Sequence, residues 1–387
     1  TTGLAMFSMF FGAGNIVFPL IVGQAAGSMA WMAIVGLMVG AVIVPFIGLL
    51  AMTYFDGDHE TFFDTIGRVP GYLVTLFIMI LIGPLNAIPR CISLSHGTIG
   101  MYAPISSIMF SVISCLIIFL ATVRKSRVVD LLGDLLSPLL VVSLFVIIIK
   151  GLLTHPAAPV STATAGQMLT FGLMQGYNTM DLLGTFFFSG VVISGLKHSF
   201  PHERTNRKRM AWYALQASII GATLLGVVYV GFGLLALYYS SSLTGASPEV
   251  LLGTLAHMVL GKAGGFFVSM AVALACLTTA ITLVVVFAEF LQHQVFRNKV
   301  GYTACLTGTL LVAGVNANLG FSQIVAMMVP ILAVIYPALI VMTIAAILHK
   351  THGLSSVKLP VFVTAALALV VQHMPTAVKA LSTVASG

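Results

Sequence analysis

The segment Phe11-Gly12-Ala13-Gly14-Asn15-Ile16-Val17-Phe18-Pro19 puts two glycines, an asparagine and a proline inside the first apolar stretch of the chain. Opening a helix in lipid strips water from amides and carbonyls at several kcal/mol each, so a break persists where a ligand uses those groups. The amides of Gly12, Ala13 and Gly14 would begin the second half-helix, whose positive end attracts a carboxylate. Glycine there lets a ligand approach the backbone. Carbonyls of Ser8, Phe10 and Phe11 would close the first half and suit a cation, and Asn15 adds a side-chain oxygen. The competing reading is a Gly-x-Gly packing face with a proline kink, which leaves Asn15 unexplained.

Three further places could do chemistry. Ala275-Cys276-Leu277-Thr278-Thr279 offers two hydroxyls and a carbonyl one turn earlier, oxygen ligands for a hard, weakly held cation such as Na⁺. Threonines in membrane helices also bond their own i−4 carbonyls. Asp181, in Gln175-Gly176-Tyr177-Asn178-Thr179-Met180-Asp181, is an intramembrane carboxylate: an ion, amine or proton site, or half of a structural ion pair. Arg90, in Gly83-Pro84-Leu85-Asn86-Ala87-Ile88-Pro89-Arg90, could pair with Asp181 or snorkel outward from a proline-kinked helix. A structural or gating role is expected for it.

Enzymatic readings fail for want of a catalytic pair. His96 has no acidic neighbour, and no HExxH, GxSxG, Walker A loop or paired intramembrane aspartates occur. No catalytic residue is assigned. Cys91, Cys115, Cys276 and Cys305 lie in apolar segments without CxxC spacing and read as packing residues. The basic run Lys197–Arg209 suits anionic lipid but reads first as a topology determinant.

The elements that must position these groups are membrane spans. The 387 residues are 59% hydrophobic and 7% charged, with mean hydropathy +1.09, whereas soluble domains carry about 25% charged residues. Spans of roughly 20 residues are expected near 3–24, 30–54, 71–101, 105–122, 129–150, 170–196, 211–239, 262–290, 302–316, 321–348 and 358–373. The tail 374–387 could be the stub of a twelfth. With a cytoplasmic N-terminus, 13 of the 17 basic residues fall in cytoplasmic loops, so that orientation is expected. The positive-inside rule also accounts for the pI of 9.3, and no nucleic-acid partner is expected. No basic n-region precedes the first span, so no cleavable signal peptide is expected. Five spans separate the breaks near Gly12–Asn15 and Gly176–Gly184, the spacing of an inverted repeat whose paired broken helices share one site.

Three motifs carry a family resemblance. Gly3–Gly23, Gly83–Arg90 and Gly176–Asp181, in that order and spacing, resemble the bacterial branched-chain amino acid:cation symporters, the BrnQ or LIVCS family, along the whole chain. That resemblance implies an all-α LeuT-like 5+5 inverted repeat with discontinuous helices 1 and 6. Residues 1–150 would form the first repeat, 165–348 the second, and 358–387 a peripheral helix and tail. It also implies Na⁺-coupled import of leucine, isoleucine or valine across the bacterial cytoplasmic membrane. The substrate carboxylate would fall on the amides of Gly12, Ala13 and Gly14. One sodium would use Asn15 and oxygens near Thr179; a second would use Ser8 and Phe11 carbonyls with Ala275, Thr278 and Thr279. Tyr177 and Asp181 would face the amino group or its ion. The alternative is a proton-coupled carrier of another small amino or carboxylic acid, with Asp181 as proton site. Two departures stand out: Cys91–Gly97 lacks the threonines and aromatic–acid pair usual in the family, and eleven spans are convincing rather than twelve.

Overall fold

A computed structural model describes residues 7, 11–123, 127–154, 164–199, 207–354 and 356–385, and among them all the regular structure is helical. The helices are α1 Ala13–Ala26, α2 Ala30–Met38, α3 Val44–Thr53, α4 His59–Phe63, α5 Arg68–Ile80, α6 Ala87–Gly100, α7 Ser107–Val123, α8 Arg127–Leu153, α9 Ala165–Thr179, α10 Asp181–Ser199, α11 Arg207–Tyr238, α12 Leu251–Phe290, α13 Tyr302–Ala317, α14 Phe321–His352 and α15 Lys358–Ala385. Lipid imposes this uniformity, because only a helix or a closed barrel satisfies every backbone group internally.

By length and hydropathy, five helical runs among the described residues suffice to cross a membrane: Ala13–Thr53, Arg68–Gly100, Trp212–Tyr238, Pro248–Val295 and Phe321–His352. The first contains two expected spans, parted at Gly27, whose positive φ of 51° an L side chain would resist. Helices α9 and α10 form a further span bent by 41°. Shorter apolar helices, Ser107–Val123, Leu140–Leu153, Tyr302–Ala317 and Lys358–His373, fall on the other expected segments. Helix α12 is two helices: at Gly261 (φ 75°) the chain reverses. A Cβ on Gly265 would sit 2.9 Å from His257 Cα, so 251–260 folds back along the span that begins at 262.

Among the described residues three spans are interrupted by non-helical backbone. Phe7 is helical and accepts from the Phe11 amide at 2.8 Å, but Gly12 is extended (φ −120°, ψ −167°) and α1 restarts at Ala13. Met180, with φ 65°, separates α9 from α10. The third break, at Gly83–Asn86, was expected only as a kink. Gly83 is non-helical (φ −91°, ψ −123°), as is Asn86 (φ −138°, ψ −66°). Pro84 supplies the reason: it lacks an amide and clashes with helical geometry in the residue before it.

Glycines let the interrupted spans pack at backbone distance. A Cβ on Gly23 would lie 1.9 Å from Gly233 O, seating α1 on α11. On α9, a Cβ at Gly172 would lie 1.8 Å from Ala33 O, and one on Gly36 2.1 Å from Leu169 O, so α2 and α9 touch along a seam. A π-helical turn, Val39–Ile43, joins α2 to α3 and meets the end of α9 where Gly40 abuts Gly176. Below it, α3 packs on α10 through Gly48 against Leu182.

Candidate functional site

Asn15, at the third position of α1, turns its side chain back on the break: Oδ1 accepts from the Gly12 amide at 3.0 Å. Its Nδ2 donates to Asp181 Oδ2 at 2.7 Å and to the Tyr229 hydroxyl. Tyr229 OH donates in turn to Asp181 Oδ2 at 3.2 Å, closing a buried triangle between α1, α10 and α11. Asp181 is the first residue of α10, where the half-helix dipole favours a carboxylate, and only 6% of it is exposed. The Gly12 amide is thus occupied. Those of Ala13 and Gly14 lie in the first turn of α1, where intrahelical acceptors are missing.

The span 6 break lies directly against this one. A Cβ on Gly14 would come within 3.2 Å of Thr179 Cα and Thr179 O. Thr179 Oγ1 donates to Gly176 O at 2.8 Å. Arg90, one turn into α6, reaches the same place. Its Nη2 donates to Asn178 O at 2.8 Å and its Nη1 to Met180 Sδ at 3.4 Å. The guanidinium carbon stands 4.9 Å from the Phe18 ring centroid and 5.4 Å from that of Phe321. Asn86 Nδ2 also donates to Met180 Sδ, at 2.7 Å. Arg90 therefore neither snorkels outward nor forms an ion pair with Asp181.

Thr278 Oγ1 and Thr279 Oγ1 both donate to Ala275 O at 2.9 Å. This is the intrahelical bonding open to any membrane threonine, and it fixes the hydroxyl protons while leaving oxygen lone pairs outward. Gly12 lies beside this pair: its Cβ would be 3.6 Å from Thr279 Cγ2. Ala275 O is taken up by the two hydroxyls, so what this stretch offers a hard monovalent cation is the oxygens of Thr278 and Thr279. Phe11 is buried and stacks on Phe7 at 5.0 Å; Ser8 and Phe10 lie outside the described residues.

These elements enclose a small cavity of about 70 Å³, below the usual 300–1,000 Å³ of small-molecule sites. Its lining combines polar groups, from Gly12, Ala13, Gly14, Asn15, Thr179, Asp181, Arg90 and Thr279, with apolar side chains of Ile82, Ala87, Cys91, Phe188 and Leu283. Four expected site residues among those described, Phe11, Tyr177, Ala275 and Thr278, are not on this wall. Thr278 lies one position along α12. Tyr177 faces away, stacked on Tyr336 at 4.6 Å in a separate apolar cluster. Sequence reasoning missed Tyr229, Ile82, Phe188 and Leu283. Tyr229 alone carried a signal, since a phenol inside the apolar run Gly226-Val227-Val228-Tyr229-Val230-Gly231 needs a partner for its hydroxyl.

Discontinuous helices 1 and 6 facing one mid-span cavity define a helical membrane transporter of the LeuT-like fold. A nucleobase-cation-symport-1 family transporter, solved in a closed conformation with bromovinylhydantoin bound, shares that fold at 13% identity and TM-score 0.62, over 99% of this chain and 92% of that one. The family model for branched-chain amino acid transport proteins matches residues 1–386, and the chain belongs to that family. It is 30% identical over 358 residues to the branched-chain amino acid permease BraB of Bacillus subtilis, covering 90% of this chain and 79% of that one. A branched-chain amino acid carrier protein of Staphylococcus saprophyticus is 30% identical over 370 residues, covering 90% and 81%. The protein is a multi-pass membrane transporter, not an enzyme.

Proposed function

We propose that this transporter imports leucine, isoleucine and valine together with Na⁺, with its N-terminus in the cytoplasm. The observation that carries the reading is the meeting of the two helix breaks, Gly14 against Thr179, at a cavity lined by both polar groups and aliphatic side chains. The substrate carboxylate takes the first-turn amides of α1, and the ammonium group faces Asp181. The aliphatic side chain packs against Ile82, Phe188 and Leu283 of the lining. The Thr278 and Thr279 oxygens take Na⁺, whose charge favours the carboxylate beside it. Residues 1–150 and 165–348 act as inverted five-helix repeats whose relative rocking alternates access, with 358–387 peripheral.

The test is uptake of labelled leucine into proteoliposomes under an inward Na⁺ gradient or an equal choline gradient. Uptake that requires Na⁺ and is competed by isoleucine and valine is the expected result. A second reading is favoured by one observation: Asp181 is buried with neutral partners, Asn15 and Tyr229, and with no paired cation among the described residues. A proton-coupled carrier using Asp181 would transport equally in choline when a pH gradient is imposed.

A further inference from the structure

The cavity gathers hydrogen-bond donors that lack good acceptors. Ala13 and Gly14, on its lining, carry amides of the first turn of α1, where no intrahelical carbonyl is in place to receive them. Arg90, also on the lining, is 3% exposed, and its N–H groups can only donate. Nη2 has a sound partner in Asn178 O, a carbonyl that the end of α9 leaves without an intrahelical donor. Nη1 has only Met180 Sδ, at 3.4 Å, and Asn86 Nδ2 converges on the same sulfur at 2.7 Å. A thioether is a weak acceptor. Nε is buried without a hydrogen-bond partner among the described residues. The rings of Phe18 and Phe321 face the charge without cancelling it. No carboxylate among the described residues bonds to the guanidinium, for Asp181 Oδ2 is held by Asn15 and Tyr229. A buried charge left so is costly.

These groups lie together. Asn178 precedes Thr179, whose backbone abuts Gly14, and a Cβ on Gly14 would be 3.4 Å from the Phe18 ring that the guanidinium faces. Arg90 also sits one turn into α6, whose positive end favours an anion beside it. We infer that Arg90 and the first turn of α1 form a subsite for a monovalent anion, a carboxylate or a chloride ion, and that Met180 holds its place until the anion arrives. The inference rests on this cavity being the transport site and deepens that reading: the amides orient the anion, and Arg90 supplies the countercharge. The planar guanidinium fork suits a carboxylate. The cavity of about 70 Å³ has room for a monatomic ion as it stands, since a water needs only about 10–15 Å³ of such space. A carboxylate arriving on leucine needs the wall to yield. Met180, unbranched and with three rotatable side-chain bonds, is built to do so.

Two arms on the wild type, Arg90→Lys and Arg90→Gln, each checked for monodispersity in detergent, separate the two sources. In the first, leucine and leucinol, which carries a hydroxymethyl group in place of the carboxylate, compete against labelled leucine in Na⁺. With the carboxylate in the subsite, the preference for leucine falls at least roughly tenfold in Arg90→Gln and is partly restored in Arg90→Lys. A merely structural loss weakens both ligands alike. In the second, melting temperature is followed without leucine as sodium chloride replaces sodium isethionate at constant ionic strength. With chloride in the subsite, the wild type gains stability saturably and Arg90→Gln does not. An undiminished leucine preference in folded Arg90→Gln, together with a wild type indifferent to chloride, overturns the inference. If Arg90→Gln is not monodisperse, Arg90→Lys, which lacks the planar fork, decides on the same two readouts. Failure of the wild type to bind leucine at all would instead defeat the branched-chain reading, and the chloride arm then decides the subsite alone.

Discussion

Gly14 and Thr179 are in backbone contact: no atom larger than hydrogen fits between them without displacement, since a Cβ on Gly14 would stand 3.2 Å from Thr179 Cα and carbonyl oxygen. The two helix breaks therefore share one seam. Gly14→Val is expected to abolish leucine uptake by prying α1 from the end of α9, at about 1–3 kcal/mol of overpacking. Gly12→Ala is the control, because its methyl meets Thr279 Cγ2 at an ordinary 3.6 Å. Uptake and thermal melting of both variants check this; normal uptake by Gly14→Val would remove the seam from the mechanism.

Tyr229→Phe deletes one of the donors to the Asp181 carboxylate while preserving the ring. Loss of a buried hydrogen bond to a charged group is worth about 1.5–3 kcal/mol. The expected outcome is a folded protein with leucine uptake reduced at least tenfold on the scale of ~1.4 kcal/mol per decade. Wild-type kinetics in Tyr229→Phe would show that the triangle with Asn15 is packing alone.

Thr279→Ala removes a lining oxygen next to Gly12, and Thr279→Ser retains it. Half-maximal Na⁺ for uptake is expected to rise roughly tenfold in the alanine variant, the loss of about 1.4 kcal/mol of ion binding, and to change little in the serine variant. Equal behaviour of the two would place the cation elsewhere. The measurement is a Na⁺ titration of initial leucine uptake rates.

Much of this site was legible because glycine, proline and asparagine inside an apolar run announce a broken helix, and the Ala275–Thr279 oxygens share one stretch of helix. Tyr177 shows where that reasoning stops. Tyr177 and Asp181 are four residues apart and would share a face of a continuous helix. Met180 takes a left-handed conformation that a methionine gives no reason to expect, so the register breaks and the two side chains part. Arg90 was visible as a buried charge, but its partners are not. Asn178, Phe18 and Phe321 meet it only through the packing of four separate spans, and no local pattern encodes that.

His59, on α4 outside the spans, stacks on Phe187 with ring centroids 4.9 Å apart, and its Nε2 is buried without a partner. Burial lowers its pKa from 6.5, with Glu60 and Asp58 opposing. A lowered folded-state pKa means that the neutral ring is favoured on folding. Its contribution to stability is complete above pH 6.5 and is lost as pH falls below that value toward the folded one. Melting temperatures of the wild type are expected to drop on acidification through this range, and His59→Gln to flatten the drop. An identical pH profile in the variant would assign the effect elsewhere.

Span 2 contributes no wall to the cavity among the described residues, yet both pieces of the severed sixth span are fastened to it, α9 along the Gly36–Gly172 seam and α10 at Gly48. It works as a splint across a fracture. The 41° angle between the fragments can change only if the splint bows at its own weak turn, Val39–Ile43, which lies opposite the fracture where Gly40 meets Gly176. The elastic stiffness of a helix that never touches the ligand thus governs how far the chamber can be reshaped.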